Sequence, residues 1–418
     1  RAAMGRILCR PMPSHSLQGW FDLLRARRVA LCLSLTMLGF SFFAARAHAE
    51  SEEPVHVDPA AAPEPSIDPT EIDRGDLGRK THKSVTPFAA PVPFKNSQVG
   101  WGLFLMVGAI HRFDADTTLK PSTGAGGGFY TENGSWGLMA LENARLRGDA
   151  LRLRGMLSHM DVRYDFFGIG EDAGSAGISV PLRQKMDIFS GSALFRMAPD
   201  FYGGAAVMWM QSTLELRESL PPELPDEPEF DEARGELFAP GLQAEYDTRN
   251  DDYWPASGSL GSVRAWFFVD ALGASQVFQR YITSWTWYRP LRGDRLLLAT
   301  NLNGAFSGGD VPFFMLPSLG TGRYGLRGYT QGRYRDNVMV TAQAEARFHT
   351  EGRLGGAVFA GFGQVAPEVG ELVDAAVLPA GGLGLRYQLT RRFPMHMRLD
   401  YAWGKNGNLL YFSVAEAF

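Results

Sequence analysis

A chain of 418 residues that is 45% hydrophobic, 12% aromatic and 21% charged has the length for one large domain or for two or three ordinary ones. Its formal net charge of -4, with basic residues dispersed rather than striped, gives no reason to expect nucleic acid. Both cysteines, Cys9 and Cys32, lie in the first 49 residues, so residues 50–418 hold no disulfide, thiolate metal site or cysteine nucleophile.

Arg25, Arg27 and Arg28 precede an apolar run over 29–45, and Ala47-His48-Ala49 puts small residues at a cleavage position before Glu50. Residues 1–49 are therefore expected to be a secretory signal peptide. A transmembrane anchor is the alternative, but the run is short for a hydrocarbon core of ~30 Å. Cys32 follows the bulky Leu31, so lipidation is not expected. Residues 50–84 interleave Pro54, Pro59, Pro63, Pro65 and Pro69 with acids. They read as a disordered, Pro-rich periplasmic linker, too small for an ordinary folded domain. No later stretch approaches the ~20 apolar residues of a helical span. A membrane-embedded chain of this kind must be a closed barrel, because only helices and barrels satisfy every backbone polar group in lipid.

From residue 85 onward, short alternating segments are separated by Gly, Asn, Asp and Pro turns. Ten strands are expected before residue 307, at 98–111, 119–131, 134–147, 149–166, 179–196, 200–217, 234–248, 259–270, 275–290 and 294–306. Five more are expected at 337–349, 354–365, 380–390, 394–404 and 408–418. Bacterial barrels have an even strand number with both ends in the periplasm. Long loops at 167–178, 218–233 and 307–336 belong outside the cell, and tight turns at 197–199 and 291–293 in the periplasm. Those placements agree if one further strand lies within 85–97. Pro87, Pro91 and Pro93 make it a frayed edge, since proline cannot donate to a ladder.

The clearest strands are late. Val338, Val340, Ala342, Ala344, Ala346 and Phe348 form one face of 338–349; Met339, Thr341, Gln343, Glu345, Arg347 and His349 form the other. Leu383, Leu385, Tyr387 and Leu389 oppose Gly382, Gly384, Arg386 and Gln388. Met395, Met397, Leu399, Tyr401 and Trp403 oppose His396, Arg398, Asp400 and Ala402. This period-two pattern is the dyad of a transmembrane barrel strand. A soluble β-sandwich gives the same alternation with the faces inverted. The export signal, the aromatics at strand ends (Trp285, Trp287, Tyr288, Tyr401, Trp403) and the terminal Phe418 favour the barrel. The period slips before residue 200, as at Leu151-Arg152-Leu153-Arg154-Gly155-Met156. The acidic, Pro-rich 218–233 segment reads as a solvated loop, its spacing matching no calcium ligand set.

Gly322-Arg323-Tyr324-Gly325-Leu326-Arg327-Gly328-Tyr329, followed by Arg333-Tyr334-Arg335-Asp336 and Glu345-Ala346-Arg347, resembles the bacterial surface antigen family, the BamA/TamA-type outer-membrane assembly barrels. Tyr246-Asp247-Thr248-Arg249-Asn250 with Pro255 and Gly258 is similar to the family's periplasmic turn. Gly382-Leu383-Gly384-Leu385-Arg386-Tyr387, Arg398-Leu399-Asp400-Tyr401 and the ending at Phe418 also fit. The resemblance implies an all-β, transmembrane antiparallel β-barrel of about 16 strands over 85–418, with an extracellular loop folded into the lumen. It implies that Arg327 at the loop tip pairs with acidic wall residues, forming a lumen latch of Arg327, Gly328, Tyr329 and Glu345. Arg347, Arg386, Arg398 and Asp400 would support it, and Phe418 would be the C-terminal assembly signal.

Two departures stand out. Phe359-Ala360-Gly361-Phe362-Gly363 puts Gly361 where the family has an aspartate, which removes one acidic partner and leaves Glu345, with Asp400 as a substitute. The 50–84 segment cannot hold the family's periplasmic receptor domains. From the residues alone, Arg327 as a solvated loop residue beside a Glu345–Arg347 wall pair is an equal reading.

Catalysis is not expected, for there is no G-x-S-x-G elbow and no H-E-x-x-H. The histidines are scattered, and neither a cofactor nor a metal is expected. The expected partners are outer-membrane lipid, the barrel assembly machinery during biogenesis, and an unidentified periplasmic protein. The functions in view are insertion or translocation of protein or lipid through a lateral seam, a narrow or plugged diffusion channel, and an outer-membrane hydrolase.

Overall fold

The computed structural model describes residues 85–418 apart from 115–118, 218–233, 253, 294, 321–324, 351 and 389–395. The expected signal peptide, the linker, the acidic loop at 218–233 and the start of the loop motif at 322–324 lie outside the described residues. Sixteen antiparallel strands close into one barrel in simple sequence order. They are β1 (Thr86–Asn96), β2 (Gly100–His111), β3 (Ser122–Thr131), β4 (Trp136–Leu146), β5 (Leu151–Phe166), β6 (Val180–Ala198), β7 (Phe201–Leu216) and β8 (Arg234–Asp247). Then come β9 (Gly258–Phe268), β10 (Phe278–Arg292), β11 (Leu296–Gly309), β12 (Val338–His349), β13 (Leu354–Ala366), β14 (Leu378–Gln388), β15 (His396–Gly404) and β16 (Gly407–Val414). A six-residue helix, α1 (Glu171–Ala176), sits between β5 and β6.

Burial is inverted relative to a soluble sandwich. On β12, Thr341, Gln343, Glu345 and Arg347 are buried, while Ala344 and Phe348 face out. On β15, His396, Asp400 and Ala402 are buried, and Leu399, Tyr401 and Trp403 are exposed. Leu103, Leu105 and Val107 on β2 and Leu383 and Leu385 on β14 add to the outer apolar surface. A wall with leucines outside and charges within suits lipid around a polar lumen.

The expected sixteenth strand within 85–97 is present as β1. The prolines fray only one of its edges. β1 pairs with β2 without a break from Thr86↔Ile110 to Asn96↔Gly100, but with β16 only at Lys95↔Phe412. Pro87, Pro91 and Pro93 share one parity. Successive residues of a strand aim their amides to opposite sides, so the three missing donors face one neighbour. The intact ladder with β2 identifies that neighbour as β16.

Two sequence expectations need correction. The last strand, expected over 408–418, stops at Val414. Ala415 takes a φ of 75°, its amide donates to His396 O, and the chain turns into the lumen. The period slip near residue 151 is not a slip. Arg152 is buried and Leu153 exposed, and Leu151 through Phe166 stay in register with β6. Apolar Met156 on the inward face disguises the alternation.

The long loop at 310–337 folds inward. Its first leg, with Val311, Phe314 and Met315, packs on Met210, Leu237, Trp266, Phe268 and Phe278 of the β7–β10 wall. Its second leg packs Leu319, Leu326, Tyr329 and Tyr334 against Ala305, Met339, Val365 and Leu378 of β11–β14. The loop thus crosses the lumen from wall to wall.

Candidate functional site

The loop tip reaches the wall at Arg327, which is 5% exposed. Its Nη1 donates to Asp400 Oδ2 at 2.8 Å. Its Nη2 lies 2.6 Å from Glu345 Oε2, an ion pair out of hydrogen-bond alignment. The guanidinium also covers the Phe359 ring at 3.5 Å, a cation–π contact worth ~0.5–2 kcal/mol. The solvated reading of Arg327 does not hold. The expected pairing with Glu345 is present, but the aligned bond belongs to Asp400.

Backbone geometry lets the tip approach so closely. Gly328 takes a φ of 102°, and a Cβ there would meet Trp403 O at 2.7 Å. A Cβ on Gly404 would meet Gly328 O at 2.6 Å. Two glycines therefore let the loop backbone lie against the end of β15. The Gly328 amide donates to Tyr411 Oη at 3.0 Å, and Tyr329 Oη donates to Pro379 O at 2.7 Å. Tyr334 Oη donates to Asn406 Oδ1 at 2.5 Å. The three contacts tie the tip to β16, to β14 and to the β15–β16 turn.

Beneath the tip lies a cluster of side chains. Glu345 accepts from Arg347 Nε at 2.7 Å and from Arg386 Nη2 at 3.2 Å. Asp400 accepts from Arg386 Nη1 at 2.6 Å and has Arg398 Nη1 at 3.6 Å. Glu416 accepts from Arg386 Nε at 3.0 Å, and Arg347 Nη2 donates to Phe418 O at 3.0 Å. Glu345, Arg347, Arg386 and Asp400 are all within 1% of complete burial. Charges at that depth hold together only as a network, because removing one partner strands another.

All eight of the lumen residues singled out in the sequence, from Arg327 to Asp400, fall at this junction. Phe418 lies inside the lumen against Tyr288, Leu297 and Ala299, and its ring centre is 5.7 Å from the Arg327 guanidinium. Four members escaped the sequence reading. Gln343 carries no charge, yet its Nε2 donates to Gly325 O at 2.8 Å. It occupies the space beside Gly361, where a Cβ would meet Gln343 Cγ at 2.7 Å. Phe359 gave only an apolar signal, and Tyr411 only an aromatic one. Glu416 was hidden by the expectation of an unbroken last strand.

A second network lies on the opposite wall, on β5, β8 and the turn that follows β8. Glu245 on β8 accepts from Arg152 Nη1 at 2.8 Å and from Arg154 Nη1 at 2.6 Å, both on β5. Asp149 accepts from Arg152 Nε at 2.9 Å and from Tyr202 Oη at 2.8 Å. Asp247 accepts from Arg249 Nε at 2.8 Å, inside the turn singled out in the sequence. Gly258 in that turn takes a φ of 92°, and a Cβ there would meet Thr248 O at 2.2 Å. Trp254 of the same turn lies against His396, ring centres 3.7 Å apart and tilted by 31°, and meets His349 edge-on at 4.7 Å. Both histidines thus lie against one tryptophan of the β8–β9 turn.

Above the loop, α1 acts as a roof. Arg333 Nε donates to Gly174 O at 2.8 Å, and the Gly170 amide donates to Arg335 O at 2.8 Å. Lys405 Nζ pairs with Glu171 at 2.7 Å, and that hydrogen bond holds the Glu171 carboxyl below its ordinary range. Among the described residues no group of histidine, cysteine, aspartate and glutamate side chains could hold a metal ion.

The model of the Omp85 superfamily domain matches residues 192–418. Several solved structures share the fold. BamA from Haemophilus ducreyi lacking POTRA domains 1-3 has a TM-score of 0.54 at 17% identity, covering 80% of this chain and 71% of that one. CdiB from Acinetobacter baumannii has a TM-score of 0.52 at 13% identity, covering 80% of this chain and 60% of that one. CdiB from Escherichia coli has a TM-score of 0.54 at 12% identity, covering 80% and 63%. At such identities the likeness concerns the fold. No curated protein matches the chain.

Proposed function

The chain belongs to the Omp85 superfamily, and from that premise we propose that this outer-membrane barrel assists insertion or translocation of protein or lipid through the seam between β1 and β16. The observation that carries the reading is the single Lys95↔Phe412 pair across that junction. In lipid each unsatisfied backbone group costs several kcal/mol, so a junction this short is the least costly place for the wall to part. The Arg327 network acts as the latch. It ties the loop to β12, β14 and β15, the wall that ends at the seam. Client capture falls to a separate periplasmic partner, and the barrel itself reaches the membrane through the assembly machinery. The reading involves no enzymatic step.

The test is a disulfide across the seam. Lys95→Cys with Phe412→Cys joins directly opposed residues, whose Cα separation of ~4.5–5.5 Å in an antiparallel pair suits a disulfide. Oxidation is expected to abolish the cellular phenotype that depends on this protein, and reduction to restore it. Full function in the oxidised, quantitatively cross-linked protein would sink the proposal.

The loop's passage across the whole lumen favours a second reading, a plugged channel. Steady conductance in a planar bilayer that rises in Arg327→Ala would favour it over the seam.

A further inference from the structure

A cavity of about 490 Å³ lies in the lumen between the loop and the β1–β3 and β5–β6 walls. Its size falls in the ~300–1,000 Å³ range of small-molecule sites. Phe94, Phe104, Phe129, Val162, Met186 and Phe314 make most of its surface apolar. The polar groups on the wall are already engaged. Tyr164 Oη donates to Gln184 Oε1 at 3.0 Å, and Gln184 Nε2 donates to Ser212 Oγ at 2.8 Å.

Arg335 is the exception. It lines the cavity, is 6% exposed, and has no carboxylate within ion-pair distance among the described residues. Its Nε donates to Gly332 O and its Nη1 to Phe313 O, both at 3.0 Å. Its Nη2 has no acceptor among the described residues. Among the described residues, every other arginine buried as deeply faces a carboxylate: Arg145, Arg152, Arg327, Arg347 and Arg386. A buried cation without a counter-charge is costly, and an anion in the cavity that Arg335 lines would supply one. Burial pulls the Arg335 guanidinium down to about 10, so it is still charged at neutral pH.

We propose that this cavity binds a monoanionic amphiphile, a medium- or long-chain carboxylate with its head on Arg335 and its acyl chain among the phenylalanines. The site is separate from the Arg327 network and holds whether or not the seam opens. A bound acyl carboxylate would touch β1 through Phe94 and the loop through Phe314 and Arg335 together, so it would brace the loop against the strand at the seam.

The experiment uses the full barrel in neutral detergent with a diazirine-tagged dodecanoate as photoprobe. Labelling is expected on lining segments around Phe94, Phe129, Val162 and Phe314. Dodecanoate should displace the probe and methyl dodecanoate should not. Arg335→Gln is expected to weaken labelling about tenfold, the scale of ~1.4 kcal/mol lost. Should Arg335→Gln fail to fold, Val162→Trp fills the cavity with the guanidinium intact and should abolish labelling. Labelling confined to lipid-facing residues such as Leu105 would overturn the proposal. So would equal displacement by the methyl ester, displacement by phosphatidylglycerol but not by dodecanoate, or undiminished labelling in a folded Arg335→Gln barrel.

Discussion

Between β5 and β6 the wall is knitted from Leu151↔Phe195 to Phe166↔Val180 without a gap, while between β1 and β16 one residue pair spans the junction. The interior differs in the same places. The wall leading to the weak junction carries the loop tip, Tyr411 and the Arg327–Asp400–Arg386 contacts. The well-paired wall carries the Glu245 network instead, with no described residue of the 310–337 loop in it. Backbone pairing and side-chain bracing are thus distributed in opposite senses. Where the ladder is complete, charges join wall to wall. On the wall that ends at the short junction, a loop arginine joins the wall charges as well.

Breaking this contrast at its strongest point is expected to have the largest effect. Asp400→Leu leaves Arg327, Arg386 and Arg398 short of a carboxylate, and removal of one partner from a buried charged pair costs ~3–5 kcal/mol. Urea unfolding should show that loss, and the loop at 310–337 should become sensitive to protease in intact cells. Glu245→Leu strips Arg154 of its carboxylate partner but leaves Arg152 its Asp149 bond. It should cost somewhat less, about 3 kcal/mol, and leave the loop resistant. A loop cleaved equally in both variants would erase the distinction between the two walls.

Gly328→Val tests the close approach rather than the charges. A side chain at a φ of 102° facing Trp403 O costs ~1–3 kcal/mol. Conductance and protease sensitivity should rise while Glu345, Arg386 and Asp400 remain paired. The smallest effect is expected at the roof. Lys405→Ala removes a half-exposed ion pair worth less than ~1 kcal/mol. Because Lys405 lowers the Glu171 carboxyl, the pair contributes fully above the ordinary carboxylate range. Its contribution is lost as pH falls through the lowered folded-state value. The difference in stability between Lys405→Ala and the parent protein should therefore vanish in acid and persist at neutral pH.

The strands were legible wherever the inward face carries charge. Arg386, Arg398 and Asp400 mark the lumen side of β14 and β15 against leucines and aromatics, and the dyad there needs no tertiary information. β5 was harder, because Met156 and Met160 occupy inward positions and blur the contrast between faces. The edge strand β1 was legible through its prolines, although parity had to be read with the ladder to learn that only one side is impaired. At the site, Arg327 and Glu345 came from the loop motif, and Asp400 from the loss of the acid at position 361. Glu416 was concealed because a left-handed residue at Ala415 is not written in the alternation. The Glu245 network was illegible for another reason. Arg152 and Glu245 are 93 positions apart, and only barrel closure makes them neighbours.

The shared parity of the prolines in β1 bears on the chain before it is a barrel. A bare strand edge is a template for any other extended chain, and transit through an aqueous compartment exposes it to many copies of itself. The β1–β2 hairpin hides one edge at once, and the other cannot offer a full row of amide hydrogens to a stranger. The same three rings that shorten the finished junction would thus keep the unfinished protein from polymerising.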